Sequence, residues 1–339
     1  MTAEVGTALV TGMLFRRLMS TVIAIAVSAV VLWWLLADGT GAHLIEALAT
    51  ANVWLLALGA LIAIAVQLVR AWRFAILATG SLALPSWTMV GIGTRLVLFN
   101  FLLPFKLGEI SFPLMMKRTY GTPLGEGAGN LILCRLLDLG VVAALILVTA
   151  AWLIDPAVYG WSPALITALG LVAFVMPLLM TEWLPCLRRV TRRWPRIDRL
   201  AGQMSHGASM MRPLRPKLLV TALSLTIWLA HATIAWLVAR AIGTGFGFAT
   251  MAMASAASNF AFALPISGVA GLGPPQAAWA SMLRMAGHDW APAITSALLC
   301  HGLLLSTLAT FGAALALGQT FRGGTIIEEH GSTSSIGGR

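Results

Sequence analysis

An all-α membrane protein of about six transmembrane helices and two re-entrant hairpins, arranged as an inverted repeat, is the fold class this sequence predicts. Three observations predict it. The chain is 59% hydrophobic and 10% charged over 339 residues, too apolar for a soluble globular domain. Its apolar residues fall in six runs near the length that crosses a bilayer, about 20 residues. One series of landmarks also occurs twice. Asn100-Phe101, Leu103-Pro104, Gly108-Glu109, Arg118-x-x-Gly121 and Cys134-Arg135 are echoed by Asn259-Phe260, Leu264-Pro265, Gly273-x-x-Gln276, Arg284-x-x-Gly287 and Cys300-His301. The cysteine stands thirteen positions after the last glycine in both copies, and the shared order points to an internal duplication.

The expected spans are 18–37, 53–69, 125–154, 162–181, 218–240 and 291–318. Arg16-Arg17 precedes the first, which is long for a signal peptide and ends in Trp33-Trp34, so a retained span is expected. The loop Asp38 to Asn52 carries acids and His43 but no Lys or Arg and is expected outside. The basic loop 182–217 holds Arg188, Arg189, Arg192, Arg193, Arg196, Arg199, Arg212, Arg215 and Lys217 against Glu182 and Asp198, which assigns it to the cytoplasm. Its prolines, Pro185, Pro195, Pro213 and Pro216, favour short interfacial helices, and anionic headgroups are its expected partners. Residues 1–322 read as one multi-pass domain in the cell membrane, with repeat one at about 53–154, repeat two at about 218–318, and a disordered tail at 323–339.

Topological parity supplies the hairpins. With the N-terminus inside, a single crossing by 87–103 would invert every later loop and turn the basic loop outward. Trp87 to Tyr120 is therefore expected to enter from the cytoplasm and return, with Pro104 near the tip. The second copy, about 246–287, starts from the opposite side, so the hairpins form an inverted repeat and the C-terminus is cytoplasmic.

The net charge of +10 sits between apolar runs, where orientation signals belong, and no nucleic-acid module accompanies it. Cys134 and Cys300 lie in apolar segments and Cys186 borders the basic loop, which gives no disulfide or metal-ligand spacing. No metal, cofactor or catalytic motif is expected. The chemistry concentrates instead on charges at membrane depth. Broken helices there need a cavity, since lipid cannot satisfy their backbone groups, and helix N-termini favour anions. Arg95 and Arg135, each costing roughly 3 kcal/mol at the bilayer centre if unpaired, need partners. Arg135 either forms a structural ion pair with Asp138 or Glu109, or joins Lys106 and Arg118 in receiving a lipid phosphate while Glu109 sets their geometry. Arg95 either snorkels or contributes to the same site. Asn100 and Asn259 either cap the broken helices or touch a headgroup. Gln276 and His301 stand where the first copy has Glu109 and Arg135, and His301 is either a buried hydrogen-bonded histidine or part of a proton-coupled step. His231 and Trp236 read as packing residues.

The run Leu103-Pro104-Phe105-Lys106-Leu107-Gly108-Glu109 followed by Arg135, together with Leu264-Pro265-Ile266-Ser267-Gly268-Val269-Ala270-Gly271-Leu272-Gly273, resembles the flippase-like membrane domain of lysylphosphatidylglycerol synthases over about residues 10–320. The resemblance implies a transbilayer lipid translocator built from helices and re-entrant hairpins. Those synthases carry a soluble aminoacyl-transfer domain after the membrane region. This sequence ends about 20 residues after its last span, so aminoacylation is not expected. It departs from the family at Pro274-Pro275-Gln276, where an acid is usual, and at His301, where arginine is frequent. Flippase or scramblase activity on a phosphate-bearing or glycosylated lipid is the leading expectation. A membrane-embedded transferase acting on a polyprenyl-phosphate-type lipid, and a non-transporting scaffold of a lipid-synthesis complex, are the alternatives. Expected partners are membrane lipids, with a homo-oligomer or a lipid-synthesis protein as possible companions.

Overall fold

The computed structural model describes residues 40–103, 106–179, 182, 193–264 and 269–332. The first expected span, Pro104, Pro265 and the arginines Arg188, Arg189 and Arg192 lie outside them. Within the described residues every regular element is a helix: α1 Thr40–Thr50, α2 Val53–Thr79, α3 Trp87–Leu102, α4 Leu107–Tyr120, α5 Leu124–Leu153, α6 Pro156–Tyr159, α7 Pro163–Leu178, α8 Pro195–Met210, α9 Leu214–Ala241, α10 Phe248–Ala263, α11 Pro274–Met285 and α12 Trp290–Ser332, with a 3-10 turn at Val269–Gly271. Among the described residues four helices, α2, α5, α9 and α12 over Trp290–Gly318, are long and apolar enough to cross a membrane. The expected span at 162–181 is α7, apolar but only 16 residues long.

Helix boundaries follow local chemistry. Asn52 opens α2 by accepting from the Trp54 and Leu55 N–H groups, and Gly80 closes it in the left-handed conformation, φ 70°. The helix thus runs ten residues past the expected end at 69, because no breaker intervenes before Gly80 and the charge of Arg73 is met inside the protein. Ser86 caps α3 through Met89 N–H, and Ser162 caps α7 with Pro163 in its first turn. Two expectations are corrected. The stretch Asp38 to Asn52 is mostly the helix α1 rather than a loop, and α12 continues to Ser332 through the first part of the expected disordered tail. The short interfacial helix expected in the basic loop is α8, which starts at Pro195.

Packing pairs the two halves reciprocally. Helix α2 lies on α9. The first helical pair, α3 and α4, sits between α2, α5 and α12, and the second, α10 and α11, between α9, α12 and α5. Exchanging α2–α5 for α9–α12 leaves this pattern unchanged. Each half also has its own apolar core, one around Phe74, Phe112, Leu133 and Met204, the other around Ile234, Met251, Trp279 and Ile294. Buried area of this kind contributes about 25 cal/mol per Å².

The pairs open at opposite ends of the molecule. At one end, called here the basic end, α8 lies against the last turn of α2, with His206 Nε2 3.2 Å from the Ala78 carbonyl. There the mouth of the first pair is closed by Ser86 Oγ and Tyr120 OH, 2.9 Å apart. At the far end Asn52 N–H donates to Ala241 O (2.8 Å), and the mouth of the second pair brings the Phe246 and His288 rings to 4.8 Å. The tips meet in the interior. Phe101 and Phe262 rings stand 5.0 Å apart, and Lys106 Nζ lies 3.1 Å from the centre of the Phe262 ring, within cation–π range.

Candidate site: a cavity where two helical tips meet

Glycine makes the first tip possible. A Cβ on Gly108 would come within 2.5 Å of the Asn100 backbone nitrogen, so only glycine lets α4 start against the end of α3. Lys106 turns the chain in the left-handed conformation, φ 57°, and Glu109 becomes the third residue of α4. From there its Oε1 accepts from Arg135 Nε of α5 at 2.9 Å. The second tip repeats the plan in neutral form. Gly273 takes φ 111°, ψ −100°, a region closed to other residues, and Gln276 is the third residue of α11. Its Oε1 accepts from Gly273 N–H at 2.7 Å. His301 of α12 lies 2.8 Å through Nε2 from the Ala270 carbonyl. A carbonyl only accepts, so Nε2 carries the proton.

Between the tips lies a cavity of about 420 Å³. Eight of the ten residues singled out in the sequence line it: Asn100, Lys106, Glu109, Arg135, Asp138, Asn259, Gln276 and His301. Two do not. Arg118 is exposed in the last turn of α4 at the basic end, nine residues or about 14 Å along the helix from Glu109, so its expected place beside Arg135 is corrected. Arg95 lies on α3 outside the lining. The asparagines do not cap the tips: Asn259 Nδ2 donates back to Ser255 O, and Asn100 Oδ1 is buried with no hydrogen-bond partner among the described residues.

Of the two expected partners of Arg135, Glu109 is the close one, at 2.9 Å, and Asp138 the distant one. Asp138 is one helical turn from Arg135, yet Arg135 Nη1 stands 4.0 Å away. The close partner is Arg73 of α2, with Nη1 2.5 Å and Nη2 3.0 Å from the two carboxylate oxygens. Trp228 Nε1 donates to the same carboxylate at 2.9 Å, and Ser224 Oγ accepts from Arg73 at 3.0 Å. Arg73 is 1% exposed, so removing Asp138 strands a buried charge at a cost of about 3–5 kcal/mol. The Arg135 and Glu109 side chains are 41% and 35% exposed to the cavity. A pair that open contributes about 0–1 kcal/mol. The structural ion pair is therefore Arg73–Asp138, and Arg135 with Glu109 is left facing the space between the tips.

Sequence reasoning missed Arg70, Arg73, Gln67 and His231. Arg70 lines the cavity with Nη2 3.5 Å from His231 Nε2. Gln67, Arg70 and Arg73 follow one another at three-residue spacing, polar positions close to one face of α2 that mark the helix as continuing past 69. Counted together, Arg70, Arg73, Lys106 and Arg135 face two carboxylates, Glu109 and Asp138. Among the described residues neither Arg70 nor Lys106 reaches a carboxylate, so the cavity carries an excess of positive charge.

Comparison with curated proteins and with solved structures found no match. A family model does match, over residues 21–312, and it takes in both tips and the cavity between them: the chain belongs to the family of the lysylphosphatidylglycerol synthase TM region.

Proposed function

We propose that this protein moves a phosphate-bearing or glycosylated lipid between the leaflets of the cell membrane, as a flippase or scramblase, and carries out no covalent chemistry. The observation that carries the reading is the cation excess in the cavity where the two tips meet. An uncompensated positive charge at membrane depth is costly, and an anionic headgroup is the ligand that offsets it. Arg135, Lys106 and Arg70 attract the anion, Glu109 orients Arg135, and Gln276 with His301 forms a neutral opposite wall.

The pairs α3–α4 and α10–α11 act as re-entrant hairpins of an inverted repeat, one entered from the cytoplasm and one from outside. Their opposite mouths and reciprocal packing support this. The basic end, with α8 and Lys217–Glu182 (2.5 Å), faces the cytoplasm by its charge, as do both termini. Acyl chains remain in lipid beside Leu139 and Phe260, cavity-lining residues that are each 43% exposed.

The test is reconstitution of the purified full chain in liposomes with fluorescent acyl-labelled anionic or glycosylated lipids, followed by an impermeant reductant. Translocation brings label of the inner leaflet to the reductant. Label that stays protected for every such lipid, with radiolabelled sugar or acyl transfer instead, overturns the reading.

A further inference from the structure

His231 and His301 both line the cavity, and their ring nitrogens are held differently. His301 Nε2–H donates to the Ala270 carbonyl at 2.8 Å, a bond that the neutral and the charged ring make alike. His231 of α9 faces Arg70 of α2, with Nε2 3.5 Å from Nη2. A guanidinium only donates, so His231 Nε2 is the acceptor, the ring is neutral and its proton sits on Nδ1. This contact is long for a hydrogen bond, and only the neutral ring makes it. Protonation would set one donor against another and one positive charge beside a second.

Helix α9 packs against α2, α5, α10 and α12, and each has been searched for charges that face the ring. From α2 come Arg70 and, behind it, Arg73, which Asp138 holds. From α5, Asp138 lies within Coulombic range of His231, and Cys134 and Arg135 within that of Arg70. Helix α10 carries no titratable residue, and α12 adds Cys300 and His301 to the cavity. On α9 itself the Trp228 ring centre stands 5.5 Å from that of His231, and Trp228 Nε1 is tied to Asp138. An aromatic ring at that distance attracts a cation. Arg70, in contact with Nε2, is thus the group that opposes a charge there. An anion docked on Arg70 offsets that charge and offers oxygens to which a protonated Nε2 can donate. At 3.5 Å apart, the two nitrogens can both donate to one phosphate group.

We propose that binding of the anion is coupled to uptake of one proton on His231, so that lipid and proton move together. The anion draws Arg70 away from His231, and the freed Nε2 lone pair accepts a proton from water. The cavity of about 420 Å³ has room for on the order of ten waters. Imidazolium and guanidinium then hold the anion between them. When the anion leaves, Arg70 returns and Nε2 gives its proton to water on that side. This rests on the reading of the cavity as a site for an anionic lipid and adds the ion that travels with it. The coupling is reciprocal: the factor by which the anion raises proton affinity is the factor by which the proton raises anion affinity.

Phosphatidylglycerol is the probe, because its phosphodiester keeps one charge between about pH 5 and 8, where an imidazole titrates. Its binding to the purified full chain in detergent is expected to take up protons from a weakly buffered solution, and to weaken about tenfold as pH rises across that range. His231→Gln keeps an acceptor for Arg70 and loses the titration, so its affinity is expected to be flat with pH. His301→Gln is expected to keep the dependence. Binding by the unaltered protein without proton uptake and at one affinity throughout, or a dependence that persists in His231→Gln, overturns the proposal. No binding at any pH removes the lipid reading beneath it as well. Liposomes read transport separately. With a pH gradient imposed, and protein-free liposomes as reference, labelled phosphatidylglycerol is expected to gather in the leaflet facing the alkaline side. Movement that ignores the gradient keeps the transport reading and overturns the coupling. Proton-linked binding without movement keeps the coupling and removes the transport reading.

Discussion

At the first tip the third residue of α4 is Glu109, engaged by Arg135 of the helix that follows, whereas at the second the third residue of α11 is Gln276, bonded to Gly273, and the following helix supplies His301. The backbone plan is shared: a break, a residue or glycine with positive φ, a short second arm, and a long helix reaching back to hold the tip. The chemistry is not shared. At the second tip every polar group named closes on the protein's own backbone, while around the first tip charges face the cavity and, among the described residues, Arg70 and Lys106 reach no carboxylate; α9 of the second half adds only the uncharged partners Ser224, Trp228 and His231. Leu304 stands four residues after Cys300, where the first half has Asp138 four after Cys134. The carboxylates and the cations of the cavity therefore belong to one half. A carrier gains from this, because binding must be favourable enough to enter and weak enough to leave, and a neutral wall opposite a cationic one holds a headgroup from one side only.

Substitutions can break this asymmetry at graded cost. The largest effect is expected for Asp138→Ala, which strands Arg73 and lowers stability by about 3–5 kcal/mol, read as a loss of folded protein or an early thermal transition in detergent. The matching change Leu304→Ala in the neutral half removes apolar contacts only; Leu304 is partly buried, so its cost stays below that of Asp138→Ala. Next comes Gly108→Ala. Its Cβ meets the Asn100 backbone, and overpacking of this kind costs about 1–3 kcal/mol, again by thermal unfolding. Smaller still is His301→Leu, which loses the bond to Ala270 at about 1 kcal/mol, while His301→Gln retains a donor and restores most of it. The smallest stability effect belongs to Glu109→Gln, within about 1 kcal/mol because the pair is half-open. That variant separates stability from function: with the thermal transition nearly unchanged, lipid movement in liposomes is expected to fall about tenfold as Arg135 loses its orientation. A large thermal loss in Glu109→Gln would make the pair a structural brace after all.

Much of the site was legible because duplication writes itself into spacing. Gly108-Glu109, Gly273-x-x-Gln276 and the residues after Cys134 and Cys300 mark the second arms and the helices that hold them, and eight of those candidates share one cavity. What was not legible depended on contacts far apart in sequence. Arg73 and Asp138 are 65 residues apart, and a guanidinium near the end of an apolar run looks like a flanking topology charge until a carboxylate from another helix is seen beside it. Arg118 misled for the opposite reason. It is close to Glu109 in sequence, but a helix carries it to the surface. The asparagines looked like caps because they precede helix breaks, yet the caps of α4 and α11 are made by backbone conformation at Lys106 and by Gly273 with Gln276.

The central claim is that a headgroup passes between the two tips, and locking the tips tests it most directly. Phe101 and Phe262 face each other with ring centres 5.0 Å apart, and Cys134 and Cys300 are buried. In a Phe101→Cys/Phe262→Cys protein that also carries Cys186→Ser, reconstituted in liposomes, a short reductant-cleavable bis-thiol cross-linker is expected to stop lipid movement and a reductant to restore it, with each single variant unaffected by the cross-linker. Movement that continues at the same rate with the tips joined contradicts the account.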